Sequence, residues 1–141
     1  MTETKSFWIY ILECSNRNFY TGYSTNLVKR FRQHLDGKAN SRYTRSHRPS
    51  RIAQCWHFEG TVGTALKIER LIKSINRTSK EKLIQQPNQL QPLIAKRLNL
   101  DVDIRTVDPQ QVEHAARFTD WDDWKPEANS DPKAPLDQDV P

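Results

Sequence analysis

Hydrophobic and polar positions fall into runs of three kinds along the chain. Residues 7–13 open with Phe7-Trp8-Ile9-Tyr10-Ile11-Leu12, a nearly continuous apolar stretch that predicts a central strand covered on both faces, since a strand with one wet face would alternate. Ser15-Asn16-Arg17-Asn18 is turn chemistry, because asparagines enter left-handed conformations and bond their own backbone. Phe19 to Tyr23 is therefore predicted to return as the second strand of a hairpin. Gly22 inside it signals a bend, or a place where another group comes close.

The period then changes. Leu27, Phe31 and Leu35 recur at i, i+4 and i+8 behind three good N-cap residues, Ser24, Thr25 and Asn26, so a helix is predicted with Gly37 as its C-cap. Arg30 and His34 keep the same four-residue step one position earlier and share one flank of that helix. Ile52 to Phe58 alternates well enough for a third strand, in which His57 reads as structural. Gly60 and Thr61 stop it and cap a helix over residues 62–75, with Ala65, Ile68, Ile72 and Ile75 on its buried face and Glu69 beside them. Thr78 and Glu81 have the spacing of a capping box for a short helix to about Gln86. Beyond it, residues 90–100 predict a helix with Pro92 in the first turn, and Asp108-Pro109 starts another that runs towards Trp121 and Trp124.

Charge divides the chain where composition does. Residues 1–86 hold 16 Lys and Arg against 6 Asp and Glu, a net +10, whereas residues 87–141 hold 6 against 11, a net −5. Seven of the eight prolines also lie in the second part. The expected organisation is a basic domain at 1–86 and an acidic, partly helical and partly disordered extension at 87–141. A domain so basic suits a polyanion, because each cation seated on a phosphate releases condensed counterions. Residues 38–51 interleave Arg42, Arg45 and Arg48 with Tyr43, a loop in which arginines would hold a nucleic-acid backbone and the tyrosine would stack on a base. Lys73 joins these as an expected nucleic-acid contact, with an ion pair to Glu69 at i, i+4 as its other reading.

No apolar run approaches the roughly 20 residues of a membrane span, and the first residues lack the apolar core of a secretory signal. A cytoplasmic protein with no membrane partner is expected. Two cysteines, Cys14 and Cys55, are too few for a disulfide scaffold or a four-ligand zinc site and read as buried thiols.

Tyr10 and Tyr20 on the hairpin, Arg30 and His34 on the next helix and Glu69 on the later one form an ordered set. Trp8-Ile9-Tyr10, Tyr20-Thr21-Gly22, the Arg30/His34 helix and Ala65-Leu66-Lys67-Ile68-Glu69 together resemble the GIY-YIG nuclease family, in particular its small stand-alone bacterial members, over residues 7–83. The first motif lacks the family's glycine, and the second has threonine for isoleucine. The resemblance implies an α+β fold with a small three-stranded antiparallel sheet flanked by helices. It also implies a metal-dependent endonuclease acting on DNA, with possible structure specificity and a place in DNA repair or recombination. On it, Glu69 is the ligand for Mg²⁺ (or Mn²⁺), Arg30 clamps the scissile phosphate, and Tyr10, Tyr20 and His34 share proton transfer and orientation of water, Tyr10 being the favoured base. Asn76, only seven residues past Glu69, is not given the role of the family's downstream asparagine. The alternative is a non-catalytic nucleic-acid-binding module. A third reading has the acidic tail dock on a protein partner or fold back on the basic face, with an inert extension as its other reading.

Overall fold

A computed structural model describes residues 4–36 and 46–118. The hairpin is formed by β1 (Lys5–Cys14) and β2 (Phe19–Ser24), which pair antiparallel from Trp8 opposite Ser24 to Glu13 opposite Phe19. In the turn it is Arg17, at φ 67°, that takes the left-handed conformation expected of the asparagines. Asn16 instead accepts the Asn18 N–H at 3.1 Å through its side chain. β3 (Pro49–Gly60) lies on the other side of β1. Its register shifts between Ile11 opposite Gln54 and Leu12 opposite Ile52, leaving Ala53 as an inserted residue.

The expectation of three strands is corrected. The sheet has four, in the order β2-β1-β3-β4, because β4 (Arg105–Val107) pairs with Cys55, Trp56 and His57 of β3. Three residues containing an arginine and a threonine carry no readable alternation, so this strand exists through its partner and not through its own pattern.

Alternation on the strands divides the interior in two. Phe7, Ile9 and Ile11 face a cluster with Ala65, Ile68, Leu71 and Ile72 of α2 (Val62–Ser74), Leu83 of α3 (Arg77–Gln85), and Leu90 and Ile94 of α4 (Leu90–Leu98). Trp8, Tyr10 and Leu12 face the other way, onto Leu27, Val28 and Phe31 of α1 (Leu27–Leu35) and Val112, Ala115 and Ala116 of α5 (Pro109–Phe118). Helices on both faces are why β1 reads as a continuous apolar run.

The caps explain the helix limits. Asn26 accepts the Lys29 N–H at the start of α1, and Thr61 the Thr64 N–H at the start of α2. α1 is closed by the N–H of Asp36; Gly37 lies outside the described residues. The capping box expected at Thr78 is not formed. Asn76 caps α3 by accepting the Ser79 N–H at 2.8 Å, and Glu81 pairs with Arg77 at 3.1 Å. The chain needs only Ile75 and Asn76 in extended conformation to pass from α2 to α3, so the helix begins before Thr78.

Composition changes at Pro87, but packing continues through it. The Trp56 indole donates to the Pro87 carbonyl at 2.9 Å, and the Ile52 N–H beside the inserted Ala53 donates to the Glu113 carboxylate at 2.6 Å. α4 ends at Asn99, which takes the left-handed conformation at φ 56°, and Asp108 caps α5 by accepting the Gln110 N–H. Trp121, Trp124 and the rest of the acidic tail lie outside the described residues. Both cysteines are buried free thiols. Among the described residues no helix is long and apolar enough to cross a membrane.

Candidate active site

Tyr10 stands at the middle of the sheet, with Gly22 opposite it on β2 and Cys55 opposite it on β3. Its ring leans over Gly22. A Cβ at that position would lie 2.6 Å from the phenol oxygen and 2.8 Å from the ring carbon bearing it, so the close approach implied by the glycine is that of Tyr10. From there the phenol reaches His34, whose Nε2 is 3.2 Å away. Tyr20 closes the triangle, its ring 5.5 Å from the His34 ring and 6.5 Å from that of Tyr10.

The α1 helix is held so that Arg30 and His34 point at the hairpin. Leu27, Val28 and Phe31 are buried against the sheet, and the flank next to that stripe faces Tyr10 and Tyr20. His34 is only 1% exposed. Arg30 donates to the Gln33 side chain at 3.3 Å, which steadies the guanidinium from its own helix.

Burial sets the protonation of the pair. It pushes the Tyr10 phenol above its ordinary range; Tyr20 adds to this, Arg30 opposes it by hydrogen bonding and charge, and Glu69 adds again. His34 is lowered to about 4, first by burial and then by the positive charge of Arg30. Near neutral pH the phenol therefore keeps its proton and the imidazole is uncharged, so Tyr10 can donate to an unprotonated Nε2.

Glu69 belongs to α2, on the opposite face of the sheet from His34. It still acts on the Tyr10 phenol electrostatically, past the edge strand β2, against which α2 also packs. Its side chain is 13% exposed and pairs with Lys73 at 3.5 Å. Among the described residues no group of three or more His, Cys, Asp or Glu could hold a metal. A single carboxylate with hard oxygen donors nonetheless suits Mg²⁺ or Mn²⁺, which is commonly held by one carboxylate, water and substrate phosphate oxygens. Lys73, which pairs with that carboxylate, is half exposed.

Tyr10, Tyr20 and His34 thus come together, with Arg30 and Glu69 acting on the same phenol. The nucleic-acid contacts fare differently. Lys73 is at the site through Glu69. Arg48 donates to the Leu35 carbonyl at 2.6 Å and so ties the segment before β3 to the end of α1. Arg42, Tyr43 and Arg45 lie outside the described residues. Sequence reasoning passed over Arg77 and Lys80, which with Lys73 line a groove beside Tyr20. No local pattern signalled them, because the corner at Asn76 puts Lys73 and Lys80 on different helices.

A family model described as the GIY-YIG catalytic domain matches residues 6–82, more than half of the chain. The chain belongs to the GIY-YIG family. Similar proteins include a UPF0213 protein of Syntrophus aciditrophicus, 39% identical over 79 residues, which are 56% of this chain and 90% of that protein. A UPF0213 protein of Cupriavidus necator is 36% identical over 92 residues, 65% of this chain and 98% of that one. The solution NMR structure of a UPF0213 protein of Bacillus halodurans is 34% identical, with a TM-score of 0.39, covering 57% of this chain and 84% of that one. A GIY-YIG catalytic domain is a nuclease-type domain, a hydrolase with nucleic acid as its substrate, and the family is generally dependent on a divalent metal. The matched segment takes in β1, β2, α1, β3 and α2, which carry all five candidate site residues; β4 and α5 lie beyond it.

Proposed function

We propose that this chain is an endonuclease that hydrolyses phosphodiester bonds in DNA with the help of Mg²⁺ or Mn²⁺. The observation that carries the reading is the buried 3.2 Å contact between the Tyr10 phenol and His34 Nε2, with Arg30 and Glu69 acting on the same phenol. Hydrolysis needs a base for water, positive charge for the phosphate and stabilisation of the leaving oxygen. Arg30 supplies a planar fork that matches phosphate oxygens and stays charged throughout. Water gives its proton to the Tyr10 oxygen as the phenol passes its own to His34 Nε2, 3.2 Å away, an imidazole that is uncharged near neutrality and can receive it. Tyr20 orients that water, and the bond to His34 holds the Tyr10 phenol in place. Glu69 holds the divalent ion, which when bound neutralises charge on the phosphate and on the leaving oxygen.

This assignment makes Tyr10 the group that takes the proton of water and His34 the group that receives the phenol's own. The reason is geometry together with the direction of the two shifts: burial holds the phenol protonated and the imidazole unprotonated, so the phenol accepts a proton only by giving up its own, and Nε2 stands beside it to receive that one. We assign the activity to DNA repair or recombination in the cytoplasm, with single-stranded, duplex and branched DNA as the candidate substrates.

The test is cleavage of labelled single-stranded, duplex and branched DNA by the full chain with and without Mg²⁺ or Mn²⁺, alongside Glu69→Gln. Metal-dependent cutting by the parent and none by Glu69→Gln is expected. Undiminished cutting by Glu69→Gln would remove the reading. Salt-sensitive binding without turnover would favour a non-catalytic nucleic-acid-binding module instead.

A further inference from the structure

Beside Tyr20, the start of β2 and the corner between α2 and α3 form a groove of about 520 Å³. Its lining is Asn18, Phe19, Tyr20, Thr21, Lys73, Arg77 and Lys80, with no acidic residue among them. The three cations come from two helices, and Asn76 sets the corner by capping α3.

Each cation has a different standing. Lys73 pairs with Glu69 at 3.5 Å. Arg77 pairs with Glu81 at 3.1 Å and lays its guanidinium 4.3 Å above the Phe19 ring, which fixes its plane at the groove wall. Lys80 has no acidic partner among the described residues. Burial first, then the charges of Arg77 and Lys73, pull its ammonium below the usual lysine range. Lys80 brings to this cluster a cation without a carboxylate of its own, which an anion would balance, and a volume of this size takes a phosphate together with its sugar, not only a bare ion.

We propose that this groove is a second phosphate subsite, which holds the nucleic-acid strand one or two nucleotides from the scissile phosphate, with Lys80 as its principal cation. The proposal rests on the nuclease reading for the nature of its ligand. Tyr20 is shared by the groove and the catalytic triangle, so a strand lying in the groove passes directly to the reacting phosphate. Lys80 is a positioning residue: it touches substrate away from the bond that breaks.

The experiment titrates the full chain carrying Glu69→Gln, with and without Lys80→Gln, against a fluorescent 12-nucleotide single strand and the corresponding duplex over a range of salt. Lys80→Gln should weaken binding about fivefold, and the slope of log K against log salt should shrink by about 0.7 for the single strand and about 0.9 for the duplex, one phosphate contact each. In the parent background it should raise KM and leave kcat unchanged. Lys96→Gln, over a separate groove formed with Leu83 and Leu93, serves as control and should change neither.

An unchanged slope and affinity for Lys80→Gln, or no oligonucleotide binding by the parent at low salt, overturns the subsite. Circular dichroism of Lys80→Gln separates loss of binding from loss of fold. The two readings fail separately. If the parent cuts nothing while Lys80→Gln still lowers the slope, the groove stands and the nuclease falls. If the parent cuts and Lys80→Gln behaves as the parent does, the nuclease stands and the groove falls.

Discussion

The two faces of the sheet are built from the same strands and satisfy their polar groups in different ways. On the face covered by α2, α3 and α4, the Trp56 indole and the Gln54 amide donate to backbone carbonyls of Pro87 and Ile84. Those bonds fix the neighbouring segment and have no proton to exchange. On the other face Tyr10 is bonded to the side chain of His34, two titratable groups in contact at 3.2 Å. The first arrangement stores stability. The second keeps desolvated groups of displaced pKa next to an arginine, which costs stability and is the arrangement the proposed hydrolysis would use.

If that division is real, damage on one face should show in stability and on the other in rate. The largest effect is expected from Trp56→Ala, which empties a fully buried site and should lower the unfolding free energy by about 3–5 kcal/mol. Denaturant titration measures it, and the single-turnover rate of the molecules still folded should not change. A rate loss as large as that of a site variant would break the comparison.

Arg30→Ala should do the reverse. Removing a preorganised phosphate ligand costs about 10²- to 10³-fold in kcat, while the midpoint of thermal unfolding moves little, since Arg30 is only partly buried. Gly22→Ala tests whether the close approach over β2 serves the site. The new Cβ would meet the Tyr10 phenol oxygen at 2.6 Å, so the ring must shift, and a displacement near 1 Å costs up to about 10²-fold in rate. If activity survives, the contact is packing alone.

The smallest effect is in pH dependence. The His34 pKa is lowered from 6.5 to about 4, so the unfolded chain binds the extra proton in that window. The stability tied to an uncharged His34 is fully present above about pH 6.5 and is lost as pH falls through about 4. His34→Gln should flatten the fall in denaturation midpoint between those values. An equally steep fall in the variant would assign it to other groups.

Much of the site was legible along the chain because local periodicity carries it. The step of four between Arg30 and His34 puts both on one flank beside Leu27 and Phe31, and the alternation of β1 sends Trp8, Tyr10 and Leu12 to one face. The cap at Thr61 and the stripe of α2 follow from the same kind of local rule. Lys80 was not legible, since it lies eleven residues beyond Glu69 on a different helix and reaches the groove only through the corner at Asn76. β4 was hidden for a related reason: its three residues gain strand geometry from pairing with β3 and burying Val107. Glu113 also reads as one more acidic residue of the extension, yet it receives the Ile52 N–H from 61 positions earlier.

The sequence by itself determined the order of most helices and strands, which residue types face inward, and that two tyrosines, an arginine, a histidine and a glutamate stand in the order of a GIY-YIG domain. These are outcomes of caps, turns and period, each acting within a few residues. Only the tertiary structure decided the protonation of Tyr10 and His34, the use of Gly22 as the space beneath a phenol, and the packing of residues 87–118 onto the core of the basic domain. Desolvation and contact between distant segments are properties of the folded interior, and no window of the chain contains them.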